Sequence, residues 1–466
     1  MTLMPDPDLA FARAVHVYTA ALLVLQPTFA FDDTPPSRSI FRRAVSALVL
    51  DPALLALVPH AALGTVSSLA DLPLYAFQLA DAAYPLLYDR DLMSEAAYLK
   101  LMRPFALWRV QPCATTPLQT LEVQIDRCFG GLATTNGTFT GIDLTHLSRF
   151  ERRAGYADLG VRIHLRPSDG RIVTCELPDG VRAAPSDDRA VRRCTTALLT
   201  SATIEAHFAQ SHFALSDRIC THLLSVPKTH PVRRLLVPLT NRPFFVSETG
   251  VPFLLGPRGF CAWTNFTQRG VLDLVAHATR ALDAAWLLLG HAGECGAVAG
   301  HMHAWRACVR AHVRAFLALH PAIERDRHAV AFARTFASPS LPVPTIEDAC
   351  TMSLLVPVVH ELLSNPWSSA FVTNPFAASY VWRDAPSAPP LAAHLPTLAE
   401  QIRVNSTKFS TMREGTRLDS PEWIDRCCAT VEERAVYADF VRSVAALDIP
   451  PDAVLHPSNI SSSVSF

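Results

Sequence analysis

The chain has 466 residues, half of them hydrophobic, and a formal net charge of −1. A chain of this length and composition can bury a large core. Its near-zero charge, with neither a basic stripe nor an acidic tail, argues against nucleic acid or an anionic membrane surface as the main partner.

The N-terminal stretch is not expected to carry a targeting or membrane signal. Its apolar runs, such as "TAALLVLQPTFAF", are shorter than the roughly 18 residues of a transmembrane span, and proline or aspartate interrupts them. The opening "MTLMPDPDLAFARAVH" has two prolines and two aspartates where a signal peptide has basic and then apolar residues. The eleven cysteines form no CxxC pair, which is typical of small buried residues in a cytosolic protein. We therefore expect a cytoplasmic protein with no transmembrane segment, for which any membrane contact is peripheral.

In chain order, the pattern is helical first and then briefly β. Residues 1–150 are expected to form a helical N-terminal part, because Ala- and Leu-rich stretches alternate there with proline-rich turns. Residues 155–185 alternate apolar and polar side chains on both sides of Ser168-Asp169-Gly170. This arrangement predicts a β-hairpin.

From residue 191 to the end the sequence returns to helical periodicity and forms the predicted helical core. Prolines end many of these segments. The predicted helices are 191–226, 268–290, 296–320, 346–365, 393–405 and 431–446. No internal repeat, low-complexity linker or preceding β-barrel module is apparent. We therefore expect one large, mainly α domain over residues 1–466, with a small β-hairpin or sheet element.

Two histidines in the first of these helices have an unusual spacing. His207 and His212 are five residues apart, which in a regular α-helix turns their side chains about 140° from each other. A π-bulge, in which one turn closes with an i to i+5 hydrogen bond, would stack them on one face. Such bulges are rare except at functional sites. Either the helix contains a bulge and the pair shares a metal ion, or the two histidines are unrelated and lie on opposite faces.

A third histidine lies far downstream, in "LLVPVVHELLSNPW". Ser364 is four residues after His360 and lies on its helical face, whereas Asn365 is five residues after it and would need another bulge. The amide oxygen of Asn365 is chemically the better weak ligand, and Ser364 has the better helical phase. Pro366 disturbs the local hydrogen bonding, so the sequence leaves both open.

Together these residues resemble the catalytic domain of the lipoxygenase family. Its signature has two iron-binding histidines spaced His-x4-His on a helix with a π-bulge, followed after 17 residues by His-Pro and a pair of leucines. His207, His212 and the "HPVRRLLVPL" that begins at His230 follow this register, although Leu239 replaces a further histidine that is not a metal ligand. His230 is then expected to be structural. The resemblance covers residues 155–466, and the family's N-terminal lipid-binding β-barrel is expected to be absent.

The resemblance also implies the other metal ligands. His360 matches the second ligand helix of the family, in which the weak fourth position becomes Ser364 or, with a shift of one residue, Asn365. The terminal "LHPSNISSSVSF" is similar to the family's C-terminus, whose last residue binds the metal through its α-carboxylate. That role falls here to Phe466, which keeps the chemistry because the ligating group is backbone.

Two more positions match family residues that act on the substrate. Counted from His230, Gly250 falls on the position, Ala or Gly in the family, that controls stereochemistry, and Leu254 falls on the leucine that clamps the pentadiene. In the family a glycine there is associated with R products. The surrounding apolar stretch, residues 243–255, is interpreted either as the lining of a fatty-acid channel or as ordinary core.

The implied activity is that of a non-haem iron dioxygenase, with manganese as the alternative metal. A donor set of imidazole nitrogens, a weak oxygen and a carboxylate, without thiolate, suits these metals. By resemblance, the enzyme removes hydrogen from the doubly allylic carbon of a polyunsaturated fatty acid, and O2 then adds on the opposite face to give a hydroperoxide. The implied partners are the fatty acid and O2.

Two other functions remain open at this point. The scaffold could act on a different substrate or rearrange hydroperoxides, since a fold does not determine a function. It could also be a catalytically inactive binding protein, which the departures from the family pattern at Leu239, Asn365 and Phe466 would favour.

Overall fold

The structure is a computed structural model that describes part of the chain. It covers residues 117–462 except 138, 241–250, 257–258, 369–378, 385–392, 397–399, 401–403 and 405–416. Most of the predicted N-terminal helical part, Gly250, most of the helix predicted at 393–405, and Phe466 lie outside the described residues.

A small antiparallel sheet contains the predicted hairpin. Its five strands pair in sequence order and are β1 Thr134–Asn136, β2 Phe139–Asp143, β3 Arg162–Leu165, β4 Ile172–Glu176 and β5 Arg182–Ala183. Strands β3 and β4 form the hairpin that was predicted around Ser168-Asp169-Gly170, and Gly170 has the positive φ of +67° that the turn requires. Ile163 and Cys175 pair across the two strands and are both buried.

Strands β1 and β2 are an exception to the prediction of a helical N-terminal part over residues 1–150. They lie at 134–143, where "TTNGTFTGID" has threonines that favour strands on both sides of Asn136-Gly137. Gly137 directly follows the last residue of β1 and has a positive φ of +58°, which glycine adopts without steric cost. The sheet is therefore larger than the predicted hairpin, and its first turn has a recognisable sequence signal.

The rest of the described chain is mainly helical, which confirms the predicted fold class. The α-helices are α1 Pro117–Gln124, α2 Asp188–Ser201, α3 Arg218–Ser225, α4 Pro231–Leu235, α5 Val251–Leu254, α6 Phe260–Trp263, α7 Gln268–Ala281, α8 Trp286–Leu289, α9 Gly296–Ala318, α10 Arg327–Arg334, α11 Ile346–Ser368, α12 Ile424–Cys427 and α13 Val431–Ala445. Two π-helices span Ile125–Phe129 and Ala202–Asp217. Short 3₁₀ segments span Gly130–Leu132, Thr145–Arg149, Val237–Thr240, Ile323–Arg325, Pro421–Trp423 and Pro457–Asn459.

Side-chain caps explain where several helices begin. Asp187 accepts hydrogen bonds from two backbone N–H groups at the start of α2, and Asp326 does the same at the start of α10. Thr267 and Thr430 each cap one further helix, α7 and α13. These residues satisfy N–H groups that have no partner within the helix, so they determine the N-terminal boundaries.

The elements that matter for the site pack around the long π-helix, Ala202–Asp217. Helices α7 and α11 both contact it, and α9 packs against α11. Residues 351–360 of α11 are all buried, so this helix lies inside the domain. Phe208 of the π-helix packs edge to face on Phe260 of α6, with ring centroids 5.0 Å apart. The π-helix is therefore held in the core on several sides.

No helix among the described residues combines the length and the apolar character needed to cross a membrane.

Candidate metal centre

The π-helix brings His207 and His212 together on one face. Their Nε2 atoms are 3.2 Å apart, although five residues separate them in the sequence. Residues five apart stack in a helix with i to i+5 hydrogen bonds, and Ser211 repeats this relation when its hydroxyl donates to the carbonyl oxygen of Ala206 at 2.9 Å. The spacing suggested one local bulge, whereas the π-helix extends over 16 residues.

The third histidine reaches the same point from helix α11. Nε2 of His360 lies 2.9 Å from Nε2 of His207 and 3.1 Å from Nε2 of His212. The three side chains are buried, with residue exposures of 4%, 3% and 6% for His207, His212 and His360. The structure thus brings together the three histidines that the sequence analysis singled out.

The triangle of nitrogens has the dimensions of a metal site. Two ligands about 2.1 Å from one ion are about 3.0 Å apart at a right angle and about 3.4 Å apart at the tetrahedral angle. The observed separations of 2.9–3.2 Å are close to these values. The three imidazole nitrogens are therefore spaced so that one metal ion could bind to all of them.

Burial keeps these imidazoles in the form that binds metal. It lowers the pKa of His360 to about 3, because the charged imidazolium loses its hydration. Burial also holds the pKa values of His207 and His212 well below the usual range, and the nearby His360 lowers them further. At neutral pH all three rings are then neutral, and each can offer a nitrogen lone pair to a metal.

Helix α11 also carries Ser364, one of the two predicted candidates for a weak fourth ligand. The helix continues as an α-helix to Ser368, so Ser364, four residues after His360, stays on the same face. The Ser364 hydroxyl donates to the carbonyl oxygen of Glu361 at 3.2 Å. A hydroxyl that donates its proton still has oxygen lone pairs to offer, so this hydrogen bond leaves Ser364 able to act as a ligand.

The remaining residues of the sequence pattern are only partly described. Leu254 is buried at the end of α5, with an exposure of 2%. Leu239, which replaces a histidine of the family pattern, is buried at 5%, and its carbonyl oxygen is 3.5 Å from the Cys220 thiol. Gly250 and Phe466 lie outside the described residues.

His230 does not join the three histidines but connects two helix N-termini. Its Nδ1 accepts a hydrogen bond from the N–H of Val232 at 3.2 Å, and its Nε2 lies 2.9 Å from the Asp326 carboxylate. Nε2 must therefore carry the proton and donate it. Asp326 in turn caps α10, so His230 joins the start of α4 to the start of α10.

We expect His230→Ala to lower the free energy of unfolding by about 1–3 kcal/mol, because it removes a helix cap and one hydrogen bond to a charged group. Backbone N–H donors hold the pKa of Asp326 below its usual range, and His230 also lowers it. The loss should therefore be full at neutral pH and shrink as the pH falls through this lowered pKa. Urea unfolding at several pH values measures it. His230→Asn, which can still cap α4, is the matched control, and a loss of metal in His230→Ala would contradict a structural role.

One buried group beside the centre was not singled out from the sequence. Glu205, two residues before His207, is 7% exposed, and its carboxylate contacts Nε2 of His146 at 2.8 and 3.0 Å. A glutamate inside the apolar run "SATIEAHFA" indicates a hydrogen-bond or ion-pair partner elsewhere in the chain, because buried carboxylates are rare unless they are paired. Its partner was not recognisable, since His146 is 59 residues away.

The arrangement of elements is similar to that of solved lipoxygenase structures. Coral 8R-lipoxygenase matches with a TM-score of 0.65 and 12% identity, over 80% of this chain and 70% of that chain. Manganese lipoxygenase of Gaeumannomyces graminis matches with a TM-score of 0.55 and 13% identity, over 84% and 81%. A lipoxygenase from Fusarium graminearum matches with a TM-score of 0.58 and 10% identity, over 97% and 90%. The chain therefore has a lipoxygenase fold, as the sequence resemblance predicted.

The likeness lies in the fold rather than in overall sequence. No protein-family model matches the chain, and no curated protein matches it. Identities of 10–13% to these three structures establish the architecture alone.

Proposed function

We propose that this protein is a lipoxygenase-type dioxygenase that inserts O2 into the 1,4-pentadiene of a polyunsaturated fatty acid and yields a hydroperoxide. The observation that carries the proposal is the convergence of three buried imidazole nitrogens, those of His207, His212 and His360, at 2.9–3.2 Å. The lipoxygenase fold supports it, because structures with this fold include coral 8R-lipoxygenase and a manganese lipoxygenase.

In this proposal the three histidines hold a non-haem iron ion, or manganese as the alternative. The bound metal supplies the one-electron redox chemistry that removes hydrogen from the doubly allylic carbon. Ser364, or Asn365 in its place, provides a weak oxygen ligand, and the α-carboxylate of Phe466 provides an anionic one. With an unperturbed pKa of about 3.5, that carboxylate is ionised at neutral pH and offsets part of the charge of the ion.

Burial is the other contribution of the protein. Exposures of 3–6% at the three histidines keep bulk water from the metal ligands. A dry site protects a carbon radical from side reactions and favours reaction with O2, which is apolar. The buried Leu254 is proposed to hold the pentadiene beside the metal. The protein would act in the cytoplasm, with peripheral membrane contact as one source of its substrate.

The test combines metal analysis with oxygen uptake. The purified protein should contain about one iron or manganese ion per chain and consume O2 when given linoleate or arachidonate. Stoichiometric metal without oxygen uptake on a panel of fatty acids would instead indicate another substrate or the rearrangement of hydroperoxides. A correctly folded protein that takes up neither metal after reconstitution would be a binding protein, and the proposal would be wrong.

We further propose that the hydroperoxide has the R configuration, which rests on Gly250. A methyl group at this position would shield one end of the pentadienyl radical from O2, whereas glycine leaves that end open. For Gly250→Ala we expect a shift towards the S isomer at the alternative carbon. A barrier difference of about 2 kcal/mol changes the product ratio about thirtyfold. Chiral chromatography of the reduced products measures both configuration and position.

The control for this prediction is Thr249→Ala, because a register error of one residue would move the site to Thr249 or Val251. If the native protein gives an S product and Gly250→Ala leaves the oxygenated carbon unchanged, the assignment of Gly250 is wrong. The metal centre would be unaffected by that result.

A further inference from the structure

A second cluster of ligand side chains lies on the other side of the π-helix. The Glu205 carboxylate oxygens are 2.8 and 3.0 Å from Nε2 of His146, which lies in the short helix after strand β2. His277 of helix α7 completes the group, and one ligand atom from each of the three residues lies within 4.8 Å of the others. The rings of His146 and His277 are 5.6 Å apart and inclined by 31°. Two imidazoles thus stand beside one carboxylate.

This cluster is separate from the first centre, although Glu205 and His207 are close in sequence. A helix with i to i+5 hydrogen bonds turns by roughly 80° per residue, so side chains two residues apart point to nearly opposite sides. The contacts agree with this geometry. His207 meets His360 of α11, whereas Glu205 meets His146.

The environment of Glu205 differs from that of the other buried glutamates in the described ranges. Glu400 forms ion pairs with Arg153 and Arg383, and Glu433 forms one with Arg234. The described part of the chain offers Glu205 no arginine or lysine, and its ion-pair partner is the imidazole of His146. A buried carboxylate is costly without a cation. A metal ion bound between the carboxylate and the imidazoles would supply the missing positive charge.

The donor set identifies the kind of ion. Two histidines and one glutamate are the protein ligands of catalytic zinc sites, in which water takes the fourth position. Ligands of one zinc ion are separated by about 3–3.5 Å, a separation that the His146 and Glu205 atoms already approach. The ligand atom of His277 lies within 4.8 Å of both. The side chains of His146 and Glu205 are 24% and 10% exposed, so water and an incoming ion can reach the site.

We propose that His146, Glu205 and His277 bind a second divalent metal ion of the zinc type. The inference is independent of the proposed dioxygenase activity, because it concerns different side chains and a different ion. An ion held there would connect the π-helix to α7 and to the segment after β2. It would therefore stabilise the π-helix on the side opposite His207 and His212.

The experiment measures bound zinc in the full chain after dialysis against micromolar zinc, using mass spectrometry. We use His207→Gln, which removes one of the three imidazoles of the first centre, and further variants then assign the zinc that is still bound. This variant should bind one zinc ion per chain. Adding either Glu205→Gln or His277→Gln to it should remove that ion. The third addition, His303→Gln, changes an exposed histidine of α9 and should leave the zinc in place.

Two results would overturn the proposal. One is that His207→Gln binds no zinc. The cluster would then be a hydrogen bond between Glu205 and His146, with the His277 ring beside it and no metal. The other is that zinc remains in both double variants at Glu205 and His277. Since His277 is only partly buried, His277→Gln is the variant less apt to disturb folding, and circular dichroism checks both. Oxygen uptake plays no part in these outcomes, so they stand apart from the test of the dioxygenase.

Discussion

Alanine at His207, His212 or His360 is expected to abolish oxygen uptake and to remove most of the bound iron or manganese. Each of these histidines contributes one of three nitrogens that lie 2.9–3.2 Å apart. Changing residues that merely support metal ligands already costs about 10- to 100-fold in affinity or activity. Loss of a direct ligand should therefore reduce activity by more than about a hundredfold. Metal content by mass spectrometry and oxygen uptake with linoleate measure the two effects.

A buried histidine outside the centre provides the matched control. His312 of α9 is 6% exposed, the same as His360, and stacks on Phe440 with ring centroids 4.3 Å apart. His312→Ala should lower stability, because it leaves a cavity beside Phe440, and should leave the metal content unchanged. An alanine variant of His207, His212 or His360 that keeps full metal occupancy and turnover would exclude that residue from the metal centre.

Much of the helical architecture could be predicted from hydrophobic periodicity. The segments predicted at 296–320 and 431–446 correspond to α9 at 296–318 and α13 at 431–445. Long periodic segments carry the strongest signal, and their caps define the ends. The segment predicted at 268–290 is instead divided into α7 and α8 by the turn that begins at Leu282.

Only part of the π-helix could be predicted from the local sequence. The spacing of His207 and His212 predicted that one turn must widen if the pair shares a metal, and the two imidazoles do meet. It could not predict that π-helical hydrogen bonding extends from Ala202 to Asp217. Helices α7 and α11, which are distant in sequence, pack on this segment, and such contacts cannot be read from the local spacing. Tertiary packing of this kind overrides local preference.

The Glu205 cluster was beyond sequence reasoning for a different reason. His146, Glu205 and His277 come from a 3₁₀ segment, the π-helix and α7, and they are separated by 59 and 72 residues. Each histidine taken alone has an ordinary structural explanation. Only the fold, which packs α7 and the segment after β2 on the π-helix, brings their ligand atoms within 4.8 Å.

The C-terminal carboxylate of Phe466 is the other group whose loss is expected to have a large effect. The chain is held firmly just before its last four residues, because the N–H of Leu418 donates to the carbonyl oxygen of Ile460 and Arg417 pairs with Ser461. Ile460 and Ser462 are each 1% exposed, so the chain is inside the domain at this point. Four further residues of fully extended chain span at most about 14 Å.

Adding a Gly-Ser linker and a polyhistidine tag after Phe466 is expected to abolish turnover while the fold survives. The extension replaces an ionised carboxylate with a neutral amide and carries the new chain end away, so the metal loses an anionic ligand. Activity should fall by more than about a hundredfold, as in the histidine variants, because a direct ligand is again removed. The same tag at the N-terminus controls for the tag itself. Phe466→Ile, which keeps the α-carboxylate, should remain active, whereas undiminished turnover in the C-terminally tagged protein would show that Phe466 does not bind the metal.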